Sequence, residues 1–90
     1  MKLWVDDERE APSGWEHRKT VHEAIMTIDN LRNSITHISL DHDDGKDTFE
    51  AVARFIRLMK ELHFEWDPHI TVHSANPIGK KNMESILLNK

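Results

Sequence analysis

Short apolar runs alternate along this chain with longer stretches in which apolar residues recur at every third or fourth position. The runs lie at residues 3–5, 38–40 and 70–72, and each is too short for an amphipathic helix but typical of a buried strand. The recurring stretches lie at residues 21–31 and 49–62 and predict two amphipathic helices. The pattern therefore predicts strands that alternate with helices.

Capping signals agree with these two helices and indicate a third. Thr20 with Glu23 has the form of a capping box. Asp47 with Glu50 offers a similar start to the second helix. Asn76, which precedes a proline, suits the N-cap of a terminal helix. The inner face of that helix is supplied by Met83, Ile86 and Leu87.

The strands extend beyond the apolar runs. Residues 15–20 alternate weakly and predict a short edge strand, and residues 35–40 and 69–73 predict two further strands. Strands alternating with helices favour a mostly parallel sheet, and right-handed crossovers place the first strand beside the third, with the fourth beyond it. We therefore predict the α/β class: a small, trimmed flavodoxin-like, three-layer domain with a mainly parallel four-stranded sheet in order 2-1-3-4.

Polar clusters follow three of these strands, at residues 6–8, 41–44 and 73–77. The carboxyl ends of parallel strands meet at one edge of the sheet, where open α/β sheets bind their ligands. Carboxylates gathered there repel one another unless a cation lies among them, and carboxylate oxygens suit Mg²⁺ or Mn²⁺. The alternative is that these carboxylates cap loops in solvent. The predicted metal-binding residues are Asp6, Asp7, Asp41 and Asp43.

The junction after the fourth strand predicts a phosphate site. Backbone N–H groups and the positive end of a helix make such a junction a natural anion site. The alternative for Asn76 is a plain helix cap, and the alternative for the nearby lysines is a charged helix surface. The predicted phosphate-binding residues are Ser74, Asn76, Gly79, Arg9 and Lys80.

Two of the seven histidines flank the predicted metal site, His42 and His73. Imidazole titrates near neutral pH, so this pair is suited to act as general acid and base. An imidazole ligand to the metal is the alternative, and it shifts the preference towards Mn²⁺ or Zn²⁺. The tryptophans are expected in the core, with Trp15 the one placed to stack on a nucleobase.

Composition limits the class of protein. Ninety residues fit one domain, residues 1–90, and 38% hydrophobic content fits a globular chain. A net charge of −4 argues against a general nucleic-acid surface, and the lack of cysteine excludes disulfides and thiolate zinc sites. No apolar stretch approaches the roughly 20 residues of a membrane span, and the first residues do not resemble a signal peptide. We expect a cytoplasmic protein whose partner is a small phosphorylated or cyclic nucleotide ligand.

Three longer strings carry a family resemblance. Leu-Trp-Val-Asp-Asp-Glu-Arg stands at residues 3–9, Ser-Leu-Asp-His-Asp at residues 39–43, and His-Ser-Ala-Asn-Pro-x-Gly at residues 73–79. Together they resemble the cyclic-phosphate-processing receiver-like family, small domains of bacteria and their phages. The resemblance implies metal-dependent handling of cyclic phosphates, in the host cytoplasm where the protein is phage-encoded.

The resemblance also implies residue roles. Receivers carry an acidic pair after strand one, a phospho-accepting aspartate after strand three and a Ser or Thr after strand four. The matching positions are Asp6 with Asp7, then Asp41, then Ser74. By this analogy Asp7 and Asp41 are the direct metal ligands, Asp6 binds through water, and Asp41 joins the two histidines as a catalytic residue. The fifth strand with its Lys-Pro has no match, which argues against phosphorelay.

Three functional hypotheses remain open at this stage. The first is a metal-dependent phosphoesterase that opens or trims a cyclic phosphate. The second is a non-catalytic protein that sequesters a cyclic nucleotide, as in phage anti-defence. The third is a degenerate receiver used for protein contacts, against which the intact acidic clusters argue. The histidine pair favours catalysis, whereas the small size favours binding or a site built by a homodimer.

Overall fold

The computed structural model of the chain describes residues 1–41, residues 49–73 and Leu87. Over these residues four strands and two α-helices follow one another, with a short 3-10 helix after the first α-helix. Their bounds are β1 (Lys2–Val5), β2 (Trp15–Arg18), α1 (Val21–Leu31), the 3-10 helix (Arg32–Ser34), β3 (His37–Asp41), α2 (Glu50–Leu62) and β4 (His69–His73).

The predicted strands and the first two helices are confirmed. The boundaries move slightly, because β2 ends at Arg18 rather than at residue 20, and β3 begins at His37 and continues to Asp41. The predicted terminal helix lies outside the described residues except for Leu87, which is buried in the core. None of the helices formed by the described residues is long and apolar enough to cross a membrane.

The sheet has the order β2-β1-β3-β4, and every neighbouring pair of strands is parallel. The predicted order 2-1-3-4 is therefore confirmed. The register aligns Val5 with Leu40 and Leu40 with Val72, so β1, β3 and β4 end almost level with one another. Asp41 lies opposite His73. This register brings the polar residues at the strand ends to a single edge.

Both helices cover the same face of the sheet. The crossovers from β2 to β3 and from β3 to β4 move in the same direction across the sheet, so right-handed connections place α1 and α2 on one side. Successive strand residues point to opposite faces, and the inward set is apolar. The described residues thus supply two layers of the predicted three. The buried core residues include Leu3, Val5, Ala24, Ile28, Ile38, Leu40, Val52, Ile56, Val72 and Leu87.

The helix starts differ from each other. Thr20 is the N-cap of α1, and its Oγ1 accepts the N–H of Glu23 at 3.1 Å, as the capping box predicts. Phe49 is the N-cap of α2 and makes no side-chain cap hydrogen bond. Asp47, the predicted cap, lies outside the described residues. The helix nevertheless buries a regular stripe, formed by Val52, Ala53, Ile56 and Met59.

The face of the sheet opposite the helices carries polar and aromatic side chains. Trp4, Ser39 and Thr71 stand in one row across β1, β3 and β4 because they are register partners. Trp15 packs edge-on against Trp4, with ring centroids 5.9 Å apart. Trp66 is buried as expected, but Trp4 and Trp15 are only half-buried, so the sequence-based assignment of all three tryptophans to the core is wrong for these two.

Candidate functional site

Three titratable side chains meet at the carboxyl edge of the sheet. Asp6 follows β1 directly, Asp41 is the last residue of β3, and His73 is the last residue of β4. One potential ligand atom from each lies within 4.8 Å of the other two. The edge that strand order and register create is therefore the place where Asp6 and Asp41, one from each predicted acidic cluster, meet the histidine of the fourth strand.

Asp6 is fully buried, with 0% of its surface exposed. Its Oδ1 accepts the backbone N–H groups of Glu8 and Arg9, each at 2.8 Å. Its Oδ2 lies 2.9 Å from Nε2 of His73. The first oxygen closes the turn after β1, as short acidic side chains do, and the second faces the cluster.

The environment of Asp6 favours its ionised form. Burial by itself raises the pKa of this carboxyl, but the hydrogen bonds from the N–H groups of Arg9 and Glu8 and from His73 outweigh it, so the pKa of Asp6 lies below its usual value. Asp6 is consequently a hydrogen-bond acceptor at neutral pH. A negative charge is thus held inside the protein at the strand edge.

Asp41 is 3% exposed and brings a second carboxylate to the same place. Two buried carboxylates so close together repel each other when both are ionised. A divalent cation between them removes that repulsion. The pair is therefore suited to hold a positive ion.

His73 is held from three sides. Its Nε2 contacts Oδ2 of Asp6 at 2.9 Å, and its Nδ1 contacts Oγ of Ser39 at 2.7 Å. The ring stacks on the Trp4 indole with centroids 3.9 Å apart and planes 10° apart. Desolvation lowers the pKa of His73, and the nearby positive charge of Arg9 adds to this effect, while Asp6 opposes it. The net lowering favours the neutral imidazole.

Trp4 and Ser39 are parts of this arrangement that sequence reasoning missed. The indole N–H of Trp4 donates to the carbonyl of Arg9 at 3.2 Å, which ties the loop after β1 to the stacked rings. Ser39 is buried at 3% exposure. The alternation of strand side chains could have revealed Ser39. It precedes Asp41 by two residues and therefore lies on the same face of the sheet.

The three donor atoms fit a divalent ion with small adjustments. Ligand atoms about 2.1 Å from one octahedral ion lie roughly 3.0–4.2 Å apart, and those of the cluster lie within 4.8 Å of one another. Two carboxylate oxygens suit Mg²⁺ or Mn²⁺, and a ring nitrogen favours Mn²⁺ over Mg²⁺. Asp6, Asp41 and His73 are thus able to hold a metal.

The remaining predicted site residues have different positions. Asp7 is exposed and does not belong to the cluster that the described residues form. The side chain of Arg9 is exposed, and its backbone contacts Asp6 and Trp4. Six predicted residues lie outside the described residues, and their roles stay predictions: His42, Asp43, Ser74, Asn76, Gly79 and Lys80.

A separate cavity lies beside β4, away from the cluster. Its volume is about 360 Å³. None of the three cluster residues lines it. The lining residues are Lys60, Asp67, Pro68, His69, Ile70, Val72 and Leu87.

Comparison with known proteins identifies one family. The model of the cyclic-phosphate processing receiver domain matches residues 1–89. No curated protein and no solved structure matches the chain. The family match covers all three residues of the cluster.

Proposed function

The chain belongs to the cyclic-phosphate processing receiver family, and on that premise we propose that it is a metal-dependent phosphoesterase that opens or trims a small cyclic phosphate. One observation carries the proposal: two buried carboxylates and an imidazole converge at the ligand-binding edge of a parallel sheet. Carboxylates are rarely fully buried unless they are paired, and the turn after β1 engages only Oδ1 of Asp6, which leaves Oδ2 facing the cluster.

The proposed ion is Mg²⁺ or Mn²⁺, held by Asp6 and Asp41 with His73 beside them. When bound, such an ion polarises a phosphoryl oxygen and lowers the pKa of a coordinated water. Asp6 contributes Oδ2, because its Oδ1 is engaged by two backbone N–H groups. Asp7 and Asp43, the other two metal-binding residues predicted from the sequence, are proposed to complete the ligand set.

The remaining roles come from the sequence and complete the proposal. The residues that follow β4 are proposed to hold phosphate oxygens together with Arg9. His42 moves the proton where His73 ligates the ion, and His73 moves it where it does not. The proposed ligand is a cyclic nucleotide or a ribose cyclic phosphate of the cytoplasm, and a homodimer is the proposed assembly that would deepen a shallow site. The loop residues in this set are Ser74, Asn76, Gly79 and Lys80.

Sequestration of a cyclic nucleotide is the second candidate, and one observation favours it. Both ring nitrogens of His73 are engaged inside the protein, by Asp6 and by Ser39. A histidine so engaged must give up one partner before it exchanges a proton with a substrate. A binding protein has no such requirement.

Product analysis tests the two candidates against each other. The protein is incubated with Mg²⁺ or Mn²⁺ and a panel of 2′,3′-cyclic and 3′,5′-cyclic nucleotides, and products are separated by chromatography. We expect one class to be hydrolysed, with activity lost in EDTA and in Asp41→Asn. If His73 transfers the proton, His73→Ala lowers turnover by roughly 10²–10⁴-fold.

Asp29→Asn is the matched control, because it removes an exposed carboxylate from α1 and should leave turnover unchanged. Hydrolysis that persists fully in Asp41→Asn would refute the metal-dependent mechanism. A nucleotide that is bound tightly, returned intact after denaturation, and bound equally well by Asp41→Asn would instead establish sequestration.

A further inference from the structure

A continuous line of hydrogen bonds leads from the surface to the acidic cluster. Thr71 Oγ1 contacts Ser39 Oγ at 3.1 Å, and Ser39 Oγ contacts Nδ1 of His73 at 2.7 Å. Nε2 of His73 then contacts Oδ2 of Asp6 at 2.9 Å. Thr71 is exposed, whereas Ser39 and Asp6 are buried. The line therefore connects solvent to the candidate metal centre through two hydroxyl groups.

Asp6, the acceptor at the inner end of the line, determines which group donates and which accepts in each of these hydrogen bonds. An ionised carboxylate only accepts, so Nε2 of His73 must carry the hydrogen that faces Asp6. A neutral imidazole then has a bare Nδ1, to which the Ser39 hydroxyl donates. The Ser39 oxygen in turn accepts the hydroxyl hydrogen of Thr71. With neutral His73 and ionised Asp6, this is the one arrangement of hydrogens in which every donor in the line has an acceptor.

A metal ion at Nε2 requires the opposite direction. Ligation uses the Nε2 lone pair, so the ring hydrogen must lie on Nδ1 and be donated to Ser39 Oγ. Ser39 then donates to Thr71, and exposed Thr71 donates to water. A hydroxyl both donates and accepts, whereas a carbonyl in the place of Ser39 would support only one of the two states.

We propose that Ser39, supported by Thr71, is the positioning residue of His73: the two hydroxyls hold the Nε2–H tautomer against Asp6 in the metal-free protein and reverse together when an ion takes Nε2. The protons balance. The Nε2 proton leaves to water, Nδ1 takes that of Ser39, Ser39 takes that of Thr71, and Thr71 takes one from water. The reversal rests on the proposed function, while the metal-free tautomer does not.

The stack on Trp4 makes this role specific to Ser39. Because the indole lies parallel to the imidazole, it restricts the ring plane but bonds to neither ring nitrogen. Asp6 accepts at Nε2 and the Ser39 hydroxyl donates at Nδ1, so the hydroxyl reinforces from the other side of the ring the tautomer that Asp6 favours. A buried serine that merely satisfied its own hydroxyl would leave the tautomer of His73 unchanged when replaced.

The first measurement is the ¹⁵N–¹H spectrum of the histidine rings in metal-free protein above pH 7. We expect His73 wholly as the Nε2–H tautomer in the wild type, where Asp6 and Ser39 act together. In Ser39→Ala, where Asp6 acts alone, we expect a measurable share of the Nδ1–H tautomer, and Ser39→Thr, which keeps the hydroxyl, should remove that share. Thr36→Val is the matched control, because Thr36 Oγ1 contacts Nδ1 of His37 at 2.9 Å outside the site. It should leave the His73 signals unchanged.

The second measurement uses Zn²⁺, a diamagnetic ion. On titration the wild type should change to the Nδ1–H tautomer of His73, and calorimetry should show roughly 10–100-fold weaker binding in Ser39→Ala. Thr71→Val is expected to weaken binding less, and it serves as the second hydroxyl deletion if Ser39→Ala fails to fold.

The outcomes separate this inference from the proposed function. A metal-free wild type in the Nδ1–H tautomer, or a His73 tautomer unaffected by Ser39→Ala, overturns the positioning role. Equal Zn²⁺ affinity in the wild type and Ser39→Ala overturns the reversal. A wild type that binds none of Mg²⁺, Mn²⁺ and Zn²⁺ refutes both the metal centre and the reversal, and the metal-free tautomer still decides the positioning role.

Discussion

The two faces of the sheet are built from the same four strands and have different side chains. The face under the helices is apolar and buried, with Leu3, Val5, Ile38, Leu40 and Val72 at its centre. The opposite face holds Trp4, Ser39, Thr71 and His73, which contact one another through rings and hydroxyls. Because strand residues alternate between faces, neighbouring residues of one chain segment form the apolar core and the candidate metal cluster. Substitutions one position apart should therefore separate the effect on stability from the effect on ion binding.

The largest expected effect comes from the neighbours Leu40 and Asp41. Asp41→Asn should abolish the rise in melting temperature that Mg²⁺ or Mn²⁺ produces, because an ion stabilises the protein only by binding its folded state. The same substitution should leave the metal-free melting temperature unchanged or higher, since it relieves charge repulsion in the cluster. Differential scanning fluorimetry with and without the ion measures both.

Leu40→Ala is the matched substitution on the other face. It should lower the free energy of unfolding by about 2–5 kcal/mol and keep the ion-dependent rise. A wild type with no ion-dependent rise, or an Asp41→Asn protein with the full rise, would contradict the assignment of binding to the polar edge.

A smaller effect is expected from pH in metal-free protein. The folded state lowers the pKa of His73 below 6.5, so the unfolded state takes up the proton first as pH falls. The neutral form of His73 therefore contributes its full share of the free energy of unfolding above pH 6.5, and this contribution is lost as the pH falls towards the pKa of His73 in the folded state. The pKa of Asp6 is held below 3.8, so protonation of Asp6 lowers the free energy of unfolding a second time at more acidic pH.

Denaturant unfolding across this range isolates the contribution of each residue. His73→Gln should remove the loss that begins below about pH 6.5 and retain the more acidic one. His22→Gln, at an exposed position on α1, should behave like the wild type. If His73→Gln follows the wild-type curve throughout, the buried neutral imidazole is not the source of the effect.

The smallest effect should come from Trp4→Phe. Phenylalanine keeps a ring beside His73 but loses the indole N–H bond to the carbonyl of Arg9. We expect a loss of about 0.5–1.5 kcal/mol in the free energy of unfolding, the net value of one hydrogen bond. A loss as large as that of Leu40→Ala would mean that the polar face contributes to stability as much as the apolar face does.

The fold was predictable because it depends on pattern and handedness. Three apolar runs, two periodic stretches and right-handed crossovers were sufficient for the strand order. The edge strand β2 was recognised from weak alternation alone, and its end was misplaced by two residues. Boundaries of this kind depend on local hydrogen bonds, here on the cap at Thr20, rather than on periodicity.

The site was predictable as a location but not in its details. Analogy ranked Asp7 above Asp6 as a direct metal ligand, and that ranking stays a prediction, whereas the burial of Asp6 and the exposure of Asp7 were not predicted. The turn after β1 decides this, because Oδ1 of Asp6 accepts two N–H groups of that turn. The contact of Ser39 with His73 joins residues 34 positions apart, and only the register and the side-chain directions reveal it.

The parallel stack of Trp4 on His73 also gives the protein an intrinsic optical probe. An excited indole transfers an electron readily to an adjacent ring that has gained positive charge, so its emission depends on whether that imidazole is neutral, protonated or bound to an ion. Trp66 is buried in the core away from these rings and contributes a constant background. Trp15→Phe would leave Trp4 as the responsive fluorophore, and occupation of the site becomes measurable without a label.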